Sequence, residues 1–234
     1  MGKKIYLSPS SQPENTYAYG NTNEQVQCRR IADACEVALK RCGFEVKNGN
    51  SGTIYTRVAE SNAWGADLHV PIHTNAYNGN VSGTRIFCFN GNGEGNKAAQ
   101  AVFKTLAPIT PGTSESITAN PSLYEVNDAA APTVYVEAEF HDVAACAKWI
   151  IENVEAIGEA ICQGICNYFK VEYKAPVKVK YSVVFGEYSS SKDADAALAD
   201  ICAKVVAAEN ALNDALSQMV ALDKELHKAK VVKE

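Results

Sequence analysis

No Cys-x-x-Cys pair occurs among the eight cysteines of this 234-residue chain, so the spacing that marks a metal cluster or a dithiol redox motif is missing. Cys28, Cys35 and Cys42 recur instead at sevens along one helical pattern among apolar neighbours. That spacing reads as reduced, buried packing cysteines. No block of Lys and Arg is present and the net charge is -5, which leaves nucleic-acid binding without an electrostatic footprint. No apolar run is long enough for a membrane span, and Lys3-Lys4 leads directly into Ile5-Tyr6-Leu7 without a signal-peptide stretch. The expectation is synthesis in the cytoplasm with no membrane span.

What is present is an ordinary globular composition, 47% hydrophobic and 21% charged, enough for one full core and a small second domain. Strands and helices alternate. Asn23-Glu24 opens an amphipathic run through Val26, Ile31, Cys35 and Leu39 that stops at Cys42-Gly43. A strand is expected at Phe44-Glu45-Val46, a helix over 56–64 and a buried strand from Ala66 to Ile72. Thr84 to Phe89 reads as a strand, 96–107 as a helix stopped by Pro108, and 111–121 as polar and irregular. Leu123 to Val126 and Thr133 to Phe140 read as the last strands, and Asp142 to Tyr168 as one long helix. This predicts an α/β fold, an open and mostly parallel sheet with helices on both faces, whose sites lie at the carboxyl ends of strands.

Four short segments fall at such ends: Ser8-Pro9-Ser10-Ser11-Gln12, Asn23-Glu24, Ile72-His73-Thr74-Asn75 and Val136-Glu137-Ala138-Glu139-Phe140. A carboxylate, an imidazole and a second carboxylate are what a zinc ion and its activated water require. Glu24 is favoured at a helix start by the dipole alone, and Glu137 sits among apolar residues, where an unpaired carboxylate is costly. His69 shares a strand face with His73 but stands about 13 Å away in an extended strand, which makes it a buried, hydrogen-bonded histidine rather than a ligand to the same ion.

In order and wording these segments resemble the zinc-dependent N-acetylmuramoyl-L-alanine amidases of the amidase-3 type, found in bacterial autolysins and phage endolysins. The resemblance covers residues 3 to about 171. It implies a peptidoglycan hydrolase that cleaves the amide between N-acetylmuramic acid and L-alanine with zinc-activated water. It implies Glu24 and His73 as Zn2+ ligands and Glu137 as the catalytic base. The family's first ligand His lies in an Asp-Pro-Gly-His motif, where this chain has Ser8-Pro9-Ser10-Ser11. Gln12 is then the first choice for the third ligand, with Glu14 or His141 as substitutes, and Asn75 and Glu139 are candidates for binding substrate. The replacement at Ser11 keeps open a second function, a catalytically weak wall-binding protein on the same scaffold. A chain of this kind would act on the cell wall after release from the cytoplasm.

The domain reading is a catalytic domain over 1–170, a linker over 171–180 with Pro176 and three lysines, and a small strand-helix segment over 181–234. Tyr181 to Tyr188 and the helix after it weakly resemble half of an SPOR peptidoglycan-binding repeat. Leu198, Ile201, Val205, Ala208, Leu212, Ala215, Met219, Leu222, Leu226 and Ala229 alternate by three and four. Such a stripe is expected to be a coiled-coil seam that makes a homo-oligomer through 198–229, or else a helix packed on its own domain.

Overall fold

The computed structural model describes residues 2–176 and, beyond them, residues 190, 192, 195, 196, 198–201 and 203–208. The chain divides into two units, Met1–Val177 and Lys178–Glu234. In the first, strands β1 (Lys4–Pro9), β2 (Glu45–Asn48), β3 (Leu68–Asn75), β4 (Arg85–Cys88), β5 (Ser116–Ala119) and β6 (Tyr135–Phe140) form one sheet in the order β2-β1-β3-β6-β4-β5. Every neighbouring pair is parallel except β4 with β6. The helices are α1 (Glu24–Arg41), α2 (Ile54–Trp64), α3 (Glu94–Leu106), α4 (Tyr124–Asp128), α5 (Ala144–Glu152) and α6 (Val154–Phe169). The open, mostly parallel α/β sheet expected from the alternation is the fold observed.

Three local expectations are corrected. Leu123 to Val126 does not form a strand; Tyr124–Asp128 is the short helix α4. The polar stretch after Pro111 is not wholly irregular, because Ser116–Ala119 pairs in parallel with β4 as an edge strand. The long C-terminal helix is two helices, broken at Asn153, whose φ of -121° and ψ of 21° leave the helical region and whose side chain bonds the Trp149 carbonyl.

Capping explains where the helices begin and end. Asn23 accepts a hydrogen bond from the Val26 amide at 3.0 Å, which fixes Glu24 as the first residue of α1. Thr53 and Thr56 form a reciprocal capping box on α2, which closes at Gly65 with φ of 69°.

The two faces of the sheet differ in chemistry. Ile5, Leu7, Leu68, Val70, Ile72, Val136 and Ala138 point into an apolar core with α1, α3 and α6. Here Gly158 and Gly164 let α6 approach closely. A Cβ at Gly158 would lie 2.7 Å from the Cys35 amide nitrogen, and one at Gly164 would lie 2.4 Å from the Val102 Cα. The alternate residues Tyr6, Ser8, His69, His73, Tyr135 and Glu137 form the other face. That face meets α2 and α4 through polar contacts: Tyr6 to Glu60, Ser61 to His69, and Glu125 to both Ser8 and His69.

The last described residues of this unit are tied to it. Arg41 Nε donates to the Lys174 carbonyl at 2.8 Å, and Val171 and Tyr173 pack on the core. A fragment ending at 176 is therefore expected to fold as a monomer and to melt within a degree or two of the intact chain's first transition. A drop of more than about 5 °C in differential scanning calorimetry would show that later residues support it.

In the second unit, residues 198–201 and 203–208 are helical. Leu198 and Val205 are exposed. Positions Leu212 to Ala229 of the heptad series and the SPOR-like segment at Tyr181 to Tyr188 lie outside the described residues.

Candidate active site

β1 and β3 run in parallel, and β3 pairs with β6 so that His73 stands directly beside Glu137. A register shift follows between His73 and Asn75. Such an irregularity bends the strand and re-aims side chains at its end. α1 begins above this point, and its first residue completes the set. Glu24 Oε1 lies 2.8 Å from His73 Nδ1, and Glu24 Oε2 accepts from Asn15 Nδ2 at 2.6 Å.

Both partners are buried, and the electrostatics follow from that. Burial alone would raise the carboxyl of Glu24, but the hydrogen bond and charge of His73, with Asn15 and Ser10, outweigh it and hold Glu24 below its usual range. Burial opposes the charged form of His73, and Glu24, Glu137 and Glu125 together reverse this and raise it. Glu137 is different. Burial, with Glu24 adding to it and His73 opposing, pushes its pKa up to about 8, and its Oε2 is inaccessible with no hydrogen-bond partner. Tyr135 stacks on the His73 ring with centroids 4.6 Å apart.

A cleft of about 600 Å³ opens beside the pair, lined by Ser11, Gln12, Glu14, His73, Glu125 and Tyr135 among others. Gln12 and Glu14 therefore reach the same space as His73. Ser10 links Gln12 to the pair, since it bonds the Gln12 Oε1 at 3.3 Å and also Glu24. Glu137 lies next to His73 without being one of the cleft-lining side chains.

Other expected residues are drawn elsewhere. Glu139 does not line the cleft. It is fully buried, and its Oε1 accepts from the amides of Gly83 at 2.5 Å and Phe140 at 2.9 Å, so it pins a loop. Asn75 Oδ1 accepts from the Ala76 amide, and Asn75 borders a separate pocket with Tyr77 and Arg85. His141 is not among the cleft-lining residues; its Nδ1 meets Thr74 Oγ1 at 2.9 Å and its ring stacks on Tyr17. His69 is the buried, bonded histidine expected, between Ser61 Oγ at 3.0 Å and Glu125 at 3.2 Å.

Glu125 is the site residue with no forewarning. It comes from α4, is buried, takes the Ser8 hydroxyl and His69, and brings Oε2 to 4.0 Å from His73 Nε2. Burial would raise its carboxyl, yet the His69 and Ser8 hydrogen bonds hold it below its ordinary value. Removing it strands His69 and Ser8 in the interior. Glu125→Ala is expected to cost about 3–5 kcal/mol, the usual cost of breaking a buried pair, and so roughly 6–20 °C of melting temperature. A shift under 2 °C in a thermal melt would mean that the network contributes little.

The donors can be tested against the zinc that the resemblance implies. Imidazole and carboxylate are suitable ligands, Glu24 and His73 stand side by side, and the unpartnered Glu137 Oε2 belongs to the residue paired with His73 on the adjacent strand. The third donor is the poor part of the fit. Glu24 and Glu125 meet opposite ring nitrogens of His73, so they cannot share one ion with it through a single nitrogen. Among the described residues the His, Cys, Asp or Glu set of three that converges within 4.8 Å is not in the cleft. A neutral oxygen such as Gln12 Oε1 is left to supply the third contact.

An acid–imidazole cluster at the carboxyl ends of parallel strands is the layout of an α/β enzyme. Residues 9–167 match the family model Amidase_3, described as N-acetylmuramoyl-L-alanine amidase, and the chain belongs to that family. It is similar in fold to the catalytic domain of CwlV, an N-acetylmuramoyl-L-alanine amidase from Bacillus (Paenibacillus) polymyxa var. colistinus, with a TM-score of 0.64 at 17% identity over 73% of this chain and 99% of that one. The CwlD amidase from Clostridioides difficile, solved in complex with the GerS lipoprotein, gives 0.62 at 16% identity over 73% and 100%. The catalytic domain of the CD27L endolysin targeting Clostridia difficile gives 0.57 at 18% over 71% and 97%. At these identities the likeness is one of fold. No curated protein sequence matches the chain.

Proposed function

We propose that the chain is a peptidoglycan amidase that hydrolyses the bond between the lactyl group of N-acetylmuramic acid and L-alanine, with Glu137 as general base. The observation that carries this is the buried Glu24–His73 pair with Glu137, unpartnered at Oε2, on the adjacent strand. Glu24 and His73, with Gln12 as the third donor, would hold a zinc ion, which when bound lowers the pKa of water and polarises a carbonyl. Glu137, a partly exposed residue beside His73, takes a proton from the attacking water and returns it to the leaving amine. Its raised pKa equips the protonated form to return that proton to the leaving amine, and a cation bound nearby would lower it toward the ionised form that the first half needs. The polar cleft wall, with Ser11, Gln12, Glu14 and Thr53, offers hydrogen bonds to a muramoyl-peptide, and Tyr135 backs the His73 ring so that it keeps its orientation.

A second reading, a wall-binding protein with little turnover, is favoured by one specific observation: among the described residues, three His, Cys, Asp or Glu donors do not converge in the cleft. Purified cell wall incubated with the protein, with and without a chelator, separates the two. Chelator-sensitive release of free amino groups supports the amidase; sedimentation with the wall and no amine release supports the binder.

A further inference from the structure

α1 has a second cluster at its other end. Cys42 caps the helix, and Cys162 and Cys166 stand four residues apart on α6, facing it. All three are buried. Their sulfur atoms lie within 4.8 Å of one another, and Cys42 Sγ is 3.8 Å from Cys162 Sγ. At 1.5 Å per residue, the 18 residues of α1 separate this cluster from Glu24 by about 27 Å. The two sites cannot be one.

The Cys42–Cys162 spacing of 3.8 Å matches sulfurs around an ion. Bonds of about 2.3 Å from zinc to thiolate put tetrahedral or trigonal sulfurs about 3.8–4.0 Å apart, whereas a disulfide needs about 2.05 Å. One backbone donor meets the cluster. The Lys174 amide donates to Cys42 Sγ at 3.3 Å. Arg41, the neighbour of Cys42, is held in place by Glu159 at 2.5 and 2.7 Å and by the Lys174 carbonyl at 2.8 Å. Tyr173 bonds the same Glu159 at 2.6 Å, and the Val171 amide bonds the Cys166 carbonyl. Residues 171–174 thus form a strap across α1 and α6 at the cysteines.

Cys28 and Cys35, buried on the same helix, stand outside this group. The sevenfold spacing along α1 accounts for those two as packing residues. It does not account for Cys42, which meets two thiols from a segment 120 residues later.

We propose that Cys42, Cys162 and Cys166 form a three-thiolate site for a soft closed-shell cation of the Zn2+, Cd2+ or Cu+ class, distinct from the active site. As the ion binds, each sulfur forms a bond to it and releases its proton to solvent. Thiolate sulfur is the donor these cations prefer. The bound ion would fasten the end of α1, the middle of α6 and the strap into one piece.

Cadmium alone is the probe. The full chain, reduced and freed of metal, is incubated with cadmium to equilibrium and followed by the ultraviolet thiolate-to-cadmium charge-transfer band. The expected result is one thiolate-bound ion per chain, protection of three of the eight thiols from a thiol reagent, and a higher melting temperature. Cys162→Ala and Cys166→Ala should each lose the band, while Cys35→Ala and Cys202→Ser keep it. A band that survives both Cys162→Ala and Cys166→Ala, or its absence from the parent, overturns the site. Should those variants fail to fold, the parent still decides: thiol reactivity and melting temperature unchanged by cadmium reject the proposal.

Discussion

His73→Ala is expected to bring amine release from cell wall to background and to lower bound zinc by one ion per chain. The ring supplies the imidazole donor of the proposed set, and what remains is one carboxylate and a neutral amide, too few strong ligands to retain zinc. The change also leaves Glu24 buried without its partner, so about 3–5 kcal/mol of stability should go with it. Glu24→Ala should act alike on zinc and turnover. Because the thiol cluster is far away, its cadmium band should be untouched in both variants. Equal zinc content and equal hydrolysis in His73→Ala and its parent would remove the active-site assignment.

Glu137→Gln separates base from ligand. Zinc content should stay at the parent level while the rate falls by about 10²- to 10⁴-fold, the usual contribution of a positioned general base. Stability should change with a definite sign. The folded pKa of about 8 stands above the ordinary 4.5, so in the metal-free protein the folded state holds this proton more tightly than the unfolded chain does. The parent therefore loses stability as pH rises from about 4.5 to 8, and Glu137→Gln should not show that loss. Denaturant melts of both proteins at pH 5 and pH 8, in the presence of chelator, measure it. Loss of zinc from the mutant would mean that Glu137 coordinates.

How far the site could be read from the chain depends on where each residue gets its neighbours. Glu24 and His73 announce themselves locally, one by the Asn23 cap before it and the other by the end of an apolar strand. Parallel pairing of β3 with β6 then brings Glu137 to His73 from 64 residues away, a neighbourhood that the alternation of strands and helices does not specify. Glu125 gave no such signal. Its helix is five residues long, and Leu123-Tyr124-Glu125-Val126 has the branched and aromatic content of a strand. Glu139 misled for the opposite reason: strand periodicity put it on the face of Glu137, but the Gly83 amide claims its carboxylate. The thiol cluster was hidden because Cys42 lies on a helix whose other cysteines only pack, and nothing local marks its meeting with α6.

The unequal faces of the sheet carry a consequence for motion. One face is sealed by apolar side chains on α1, α3 and α6, whereas α2 and α4 rest on the other largely through Glu60, Ser61, Arg57 and Glu125. Apolar burial scales with area, and polar contacts exchange against water at little net gain. The α2–α4 layer should thus be the least protected cooperative unit of the domain. Native-state hydrogen exchange should find its amides opening well before those of α1 and α6. Since Thr53, Ile54, Leu123, Tyr124 and Glu125 wall the cleft from that layer, the side of the enzyme that opens most readily is the side through which a bulky polymer would have to enter.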